Sequence, residues 1–457
     1  MDIADSSLWR EIQAIVNSGA KDVHHTWDIT IYAGTEVIKP FKLMSIDYNR
    51  DYLNNYTDYI LLNVKMPLGT FARRLYPNLD NLEIEIKRVT IGETSDATNL
   101  DDPTQAERYT AVIIDTGNPI VENAIGSTTN EEDLNRIDVP TVEFQLFNKA
   151  LEQIRVLPAG GIYRNMTGEA VVKAVLTKYS QMAVVDGQRQ VNGVQMVEAA
   201  NQTKRSVIDL PQNLKMVDVP HHVHYYCGGL YAAGLGYYLQ DDYWYVFPAY
   251  DNTRFNDGDP TLTIINIPEH RLPGIERTYR KDGDNLVILA TGQSKFRDIR
   301  NTAQLNQGNG ARFADAEKIM DSFVTVKDNK AIAARAQNNT EIISDKRPNN
   351  INLVTDGRNR ITANPFVEYS ALAARQGSGI NVVWENADHT LLYPGMPTKY
   401  TYLDGDDIQE LYGVLLGAHQ YISLREPGMT SQRYVNIMTL SVFVKPLAPE
   451  TDDTPST

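Results

Sequence analysis

One cysteine, Cys227, is all the thiol this chain of 457 residues carries. No disulfide can close within one copy, which fits folding in a reducing compartment. Basic charge is scarce as well: 43 Lys and Arg stand against 58 Asp and Glu, a net charge of −15, and no four basic residues run together. Tight duplex binding needs a basic stripe that neutralises several phosphates, so sequence-specific nucleic-acid recognition is not expected. No segment approaches the roughly 18 consecutive apolar residues of a spanning helix. The opening Met1-Asp-Ile-Ala-Asp-Ser lacks the basic and apolar regions of a signal peptide, so synthesis in the cytoplasm is expected.

Catalytic signatures are missing too. There is no Gly-rich phosphate loop with Lys-Ser/Thr, no HExxH and no GxSxG. Carboxylates do pair at Asp241-Asp242, Asp257-Gly-Asp259, Asp282-Gly-Asp284 and Asp406-Asp407. A glycosidase needs two such groups about 5 to 9 Å apart across a cleft. An acidic chain produces pairs by chance, and Asp-Gly steps signal turns first; the Asp257 and Asp282 sites also lack the spaced ligands of a calcium loop. His221-His222-Val223-His224 with nearby Cys227 is the best metal candidate, since zinc takes four N or S ligands. Read as a strand, however, His222 and His224 face one way while His221, Val223 and Cys227 face the other. One segment cannot then close a tetrahedron, so a polar strand edge or interface is expected, unless a subunit contact gathers three copies of one histidine. Cys227 reads as inert packing in an aromatic strand region. No catalytic, cofactor-binding or metal residue is assigned, and no cofactor is expected.

What the chain does have is period-two patterning. Trp27, Ile29 and Ile31 alternate with polar neighbours before an Ala33-Gly34 turn; Ile60, Leu62, Val64 and Met66 repeat the pattern, as do Leu82, Ile84 and Ile86. Tyr109 to Asp115 and Val142 to Leu146 continue it. Strands with one polar face describe an antiparallel sheet or small barrel. Polar stretches at 92–107 and 123–138 read as long exposed loops. Ser7–Val16 predicts a short helix, and Thr167 can cap a second one that aligns Val171, Val172, Val175 and Leu176. Further strands are expected at Leu262–Ile267, Leu286–Ala290 and Tyr434–Val444, and an amphipathic helix at Arg312–Phe323. Residues 181–212 and 338–359 are polar and ambiguous. There are 25 tyrosines, densest between Tyr225 and Tyr250, where they suit an interface or a core equally.

Three segments, in this order, resemble a known family. The first is Trp27-Asp-Ile-Thr-Ile-Tyr through Phe41-Lys-Leu-Met-Ser-Ile-Asp-Tyr. The second is Gly161-Ile-Tyr-Arg-Asn-Met-Thr167 entering Val171 to Tyr179. The third is Leu230-Tyr-Ala-Ala-Gly-Leu-Gly-Tyr-Tyr-Leu239, read as a short helix before a strand, followed by Tyr243-Trp-Tyr-Val-Phe-Pro248. Together they are similar to the baseplate hub family of contractile injection machines, which includes phage tail hub proteins, late control D proteins and the hub part of VgrG spikes. The resemblance implies an α+β, β-dominated fold of tail-tube-like antiparallel β-barrels with short helices and long inserted loops. It implies residues 1–20 as an N-terminal helix, 21–139 as a first barrel, 140–250 as an α+β unit, 251–410 as a second tube-like or mixed unit, 411–446 as strands returning to a barrel, and 447–457 as a disordered tail. It implies a homotrimer in the virion baseplate, bound to the tail tube protein, a central spike protein and wedge proteins, with no enzymatic activity. No long spike repeat and no lysozyme insert follow, so a separate chain would supply the spike. The other readings are another virion tail β-protein (tube completion, sheath or wedge) and a cell-wall-cleaving enzyme.

Overall fold

The structure is a computed structural model. It describes residues 7–16, 24–67, 70–91, 106–114, 141–185, 188–189, 191–258, 260–267, 278–290, 294–297, 364, 366–404, 407–424 and 434–445, with short strands at 312–314, 324–327, 330–333 and 339–341. Of the expected loops at 92–107 and 123–138, residues 92–105 and 123–138 lie outside the described residues, as does the tail; Ala106 and Glu107 instead open the strand Ala106–Ile113. Among those described, the fold is β-dominated, with short helices.

Alternation builds the first sheet. Strands Glu36–Ile38, His24–Ala33, Leu82–Ile91, Ala106–Ile113, Thr141–Asn148, Tyr59–Lys65 and Lys42–Asp51 follow one another in that spatial order, all antiparallel. Register sets Ile29 against Ile86 and Ile31 against Ile84, so the apolar residues of each strand share the inner face. Ile31, Ile46, Ile60, Leu62, Val64, Ile84 and Phe144 are fully buried there, each contributing roughly 1.5–3 kcal/mol by leaving water. The sheet curls until Trp27 meets Tyr434 of the chain's last strand edge to face, with ring centroids 5.4 Å apart. The strand Thr141–Asn148 sits inside this sheet, so a boundary after Asn148 follows the hydrogen bonds better than one at 139/140.

A second curled sheet runs in the order Tyr279–Asp282, Asn285–Ala290, Thr261–Asn266, Pro397–Asp404, Asp407–Leu424, Tyr434–Lys445, Ser378–Glu385 and Ser294–Arg297. Its ends also meet through side chains. Trp384 donates from Nε1 to Thr278 Oγ1 at 3.0 Å, and Thr278 donates to the Glu385 carbonyl at 2.7 Å. This sheet departs from the antiparallel expectation, because Thr261–Asn266 runs parallel to both of its neighbours. The physical reason is two-sided burial. Every residue of Thr261–Asn266 is buried; Leu262 and Ile264 face the barrel core, while Ile265 packs with Ile267, Val287 and Leu289 on the other side. Leu8, Ile12 and Ile15 of the helix Ser7–Val16 cover that outer face. Strands buried on both faces carry continuous apolar runs and suit parallel pairing.

Between the two sheets in sequence lies an α+β unit. The Thr167 hydroxyl accepts from the Ala170 N–H at 3.2 Å and caps the helix Gly168–Ser180, whose Val171, Val172, Val175 and Leu176 are fully buried. A ribbon of Gly161–Met166 and Arg205–Leu210 and a three-stranded sheet of Gly193–Met196, Tyr243–Pro248 and Leu235–Gln240 complete it. The stretch Leu230–Gly234 is a turn rather than the expected short helix; the helix precedes it, at Val219–Tyr226. Arg312–Ala314, expected to begin an amphipathic helix, is a strand paired with Asn339–Glu341; residues 315–323 lie outside the described set.

One strand joins the two curled sheets. Along a single edge, Asp407–Leu424 pairs first with Pro397–Asp404, through Val414, and then with Lys42–Asp51 from Gly417 to Ser423. Its other edge pairs with Tyr434–Lys445, with a register shift between Leu415 and Gly417. Leu416 is the extra residue of this bulge, and its carbonyl accepts from the Tyr52 N–H at 3.0 Å. Gly417 is needed at the crossing because a Cβ there would sit 2.7 Å from the Arg50 carbonyl oxygen. Gly417→Ala is therefore expected to destabilise the chain by about 1–3 kcal/mol, the usual cost of overpacking, as a lower urea midpoint; an unchanged midpoint would show that the crossing tolerates a side chain.

Candidate functional site

The histidine segment lies on the helix Val219–Tyr226, not on a strand. Pro220 in the first helical turn favours that start, and Cys227 follows as the C-cap residue. The helical period sets His221 over Tyr225, ring centroids 4.2 Å apart, and His222 over Tyr226 at 5.2 Å. His224 points inward and is fully buried. Its Nδ1 accepts from the Leu230 N–H at 3.2 Å, which leaves Nε2 to donate to Ser370 Oγ at 3.3 Å. Ser370 belongs to the helix Phe366–Gln376, so this histidine pins two helices together as a neutral core group. Burial lowers its pKa to about 4. Cys227 lies 3.9 Å from the Asp209 carbonyl, and burial raises its thiol pKa. Among the described residues, no three His, Cys, Asp or Glu side chains converge as metal ligands would.

The carboxylate pairs sit on turns where they are described. Asp241 and Asp242 have φ of 48° and 64°, a two-residue hairpin of the primed type. Gly283, at φ 60°, turns the hairpin between Asp282 and Asn285. Asp259 and Asp406 lie outside the described residues. The aromatic stretch Tyr225–Tyr250 is largely core: Tyr238, Trp244 and Phe247 are fully buried, while Tyr226 remains 73% exposed.

Polar chemistry instead gathers where the two curled sheets meet. Arg50, from the last turn of strand Lys42–Asp51, is 4% exposed and pairs through Nε and NH2 with Asp58 Oδ2, both at 2.8 Å. Burial is the largest single influence and opposes its charge, but Asp58 together with Tyr52, Tyr238 and Asp241 more than offsets it and holds its pKa well above the ordinary value. Tyr238 of the α+β unit donates to the other Asp58 oxygen at 2.8 Å. Arg50 NH1 reaches the His389 carbonyl at 3.3 Å. His389 belongs to the short turn His389–Leu391 of the second sheet, and its ring stacks on Tyr48 at 5.4 Å. Next to it, Arg88 pairs with Asp388 at 2.6 Å. Asp388 also accepts from the Thr390 N–H and hydroxyl. Burial works against that carboxylate, but Arg88 and Thr390 together hold its pKa below the ordinary range. The arrangement can hold three units in one orientation; it presents no nucleophile with an adjacent base.

No family model matches the sequence, and no curated protein matches it. Among solved structures the chain is similar to the tail protein from Neisseria meningitidis MC58 (11% identity, TM-score 0.45), over 92% of this chain and 96% of that one. It is similar to the 43 kDa tail protein of prophage MuSo2 from Shewanella oneidensis (9%, TM-score 0.42), over 91% and 98%. It is also similar to an E. coli component of the type VI secretion system, described as similar in structure to T4 bacteriophage tail proteins (8%, TM-score 0.36), over 92% and 77%. These structural neighbours are tail and secretion-machine proteins.

The sequence pointed to none of the charged groups of the junction, and to Tyr48 and Tyr238 only as parts of longer segments, because Arg50 and His389 are 339 positions apart and no local spacing links them. Removing one partner of a buried pair leaves the other charge stranded, at a cost of about 3–5 kcal/mol. Arg50→Met should therefore lower stability by that order in urea unfolding, while Arg50→Met with Asp58→Leu should lower it less; equal losses would mean that no stranded charge is involved. His224 gives a pH signature. The unfolded chain takes up a proton below about 6.5, whereas the folded one does so only near 4, so acid favours unfolding across that window. Stability should fall by about 3 kcal/mol between pH 6.5 and 4, and His224→Asn, which can still accept from Leu230, should remove that slope.

Proposed function

We propose that this chain is a structural hub of a contractile tail baseplate, a homotrimer that joins a six-fold tail tube to a three-fold spike. The observation that carries this reading is the shared strand Asp407–Leu424, which fuses two curled, barrel-like sheets of one chain side by side. Three copies around an axis present six such units, which can meet a six-fold ring on one side and a three-fold partner on the other. Such symmetry conversion needs fixed orientation and managed sheet edges rather than reactive groups. The hydrogen bonds from Tyr238 to Asp58 and from Arg50 to the His389 carbonyl, with the Arg88–Asp388 pair, supply fixed orientation. The resemblance of the three segments named above supports the same reading.

In this account the partners are the tube, spike and wedge proteins, the residence is the virion baseplate after synthesis in the host cytoplasm, and the role is non-enzymatic. No helix of the described residues is long and apolar enough to cross a membrane. Light scattering on the purified chain should give three times the 51.3 kDa of one copy, and pull-down should recover tube or spike protein. A strict monomer that binds neither would overturn the proposal. Six-fold rings in negative-stain images would instead favour a tube-completion component.

A further inference from the structure

A pocket with about 50 Å³ of room for water, partly open to solvent, lies at the end of the first sheet's interior beside the turn His389–Leu391 of the second sheet. Its walls include Trp27 and Tyr48, and its polar lining comes from Arg88, Glu107, His389 and Thr390. Register explains why charges meet there. Glu107 pairs with Ile86 and Arg88 pairs with Trp27, so both follow the inward-facing period of their strands to the point where the apolar core ends.

Glu107 takes no part in the ion pairs and hydrogen bonds of the junction between the sheets. Among the described residues its carboxylate accepts one hydrogen bond, at Oε2 from the Tyr109 hydroxyl. A carboxylate offers about four acceptor positions. Burial pushes its pKa upward, with Tyr109 and Arg50 pulling the other way. Arg88 carries five N–H donors, and its ion pair with Asp388 runs through NH1. Glu107 and Arg88 line one cavity, yet no direct ion pair joins them.

We infer that this cavity is a hydration site, in which ordered water bridges the Glu107 carboxylate to the Arg88 guanidinium. A water needs roughly 10–15 Å³ and two to four polar partners, so the space admits about three. Glu107 and the Thr390 hydroxyl oxygen offer acceptors, while Arg88 offers donors; the Thr390 N–H and O–H are both engaged by Asp388. A bridging water holds two groups nearly as well as a direct bond does. The clasp between the sheets thereby extends from Asp388 through Arg88 and water to Glu107 and Tyr109, and reaches into the first sheet's interior. The inference does not depend on the hub reading, because it concerns the joint within one chain.

Two measurements test it on the full chain. A high-resolution crystal structure should show water within hydrogen-bond distance of both Glu107 and Arg88; a dry cavity, or a direct pair between the two, overturns the inference. A double-mutant cycle with Glu107→Leu and Arg88→Leu should be non-additive by about tenfold in the unfolding constant, since residues in one network couple while independent ones add. Additive effects overturn it. Should the leucine variant of Glu107 fail to fold, the crystal structure and urea midpoint of Glu107→Gln replace the cycle. It keeps an acceptor and should retain both the water and most of the stability; loss of the water in that variant, with its stability unchanged, also overturns the bridge.

Discussion

A strand that changes partner along one edge must do so without leaving its backbone groups unpaired. Asp407–Leu424 meets this constraint at one place. Its edge partner Pro397–Asp404 ends opposite Val414, and Lys42–Asp51 begins opposite Gly417. In between, the Leu415 N–H donates to the Met396 carbonyl and the Leu416 carbonyl accepts from Tyr52, so neither edge is orphaned. The bulge absorbs the change of direction. Once this crossing exists, the two sheets cannot separate without breaking a continuous ladder, and the rest of the joint is built around it.

The polar groups at the joint serve a different purpose from the cores. Buried ion pairs add little net stability compared with well-packed apolar side chains. They are selective, however, because a stranded charge penalises every arrangement but one. Arg50 and Asp58 both come from the first sheet, from one strand and from the loop that leads to the next, while Tyr238 comes from the α+β unit; Arg88 and Asp388 come from the first and second sheets. The Tyr238–Asp58 and Arg50–His389 hydrogen bonds and the Arg88–Asp388 pair therefore specify an orientation between units whose apolar surfaces alone would accept several. Tyr52 and Tyr238, ring to ring at 4.8 Å, fill the space between.

Much of the secondary structure was legible, and the misreadings share causes. The alternation in Leu82, Ile84 and Ile86 needed no tertiary knowledge, because one face of that strand stays polar. Thr167 announced its helix through its cap. The histidine segment misled because eight residues are too few for a period to declare itself; Pro220 at the helix start was the available signal. Thr261–Asn266 reads as a strand but hides its parallel neighbours, since a run buried on both faces has no alternation to interpret. The candidate site was illegible for another reason: its residues come from four or more separate elements.

Patterning along the chain determined that the protein is β-dominated, that its strands present one polar face in the first half, that its Asp-rich steps turn, and that its single thiol cannot crosslink it. These are local facts, set by side-chain period and backbone preference over a few residues. Only the tertiary structure decided that the first helix covers the second sheet, that His224 is a neutral rivet, and that one strand serves both sheets. Those outcomes depend on which buried surfaces find each other across hundreds of positions, and that choice is made by packing and charge pairing in three dimensions.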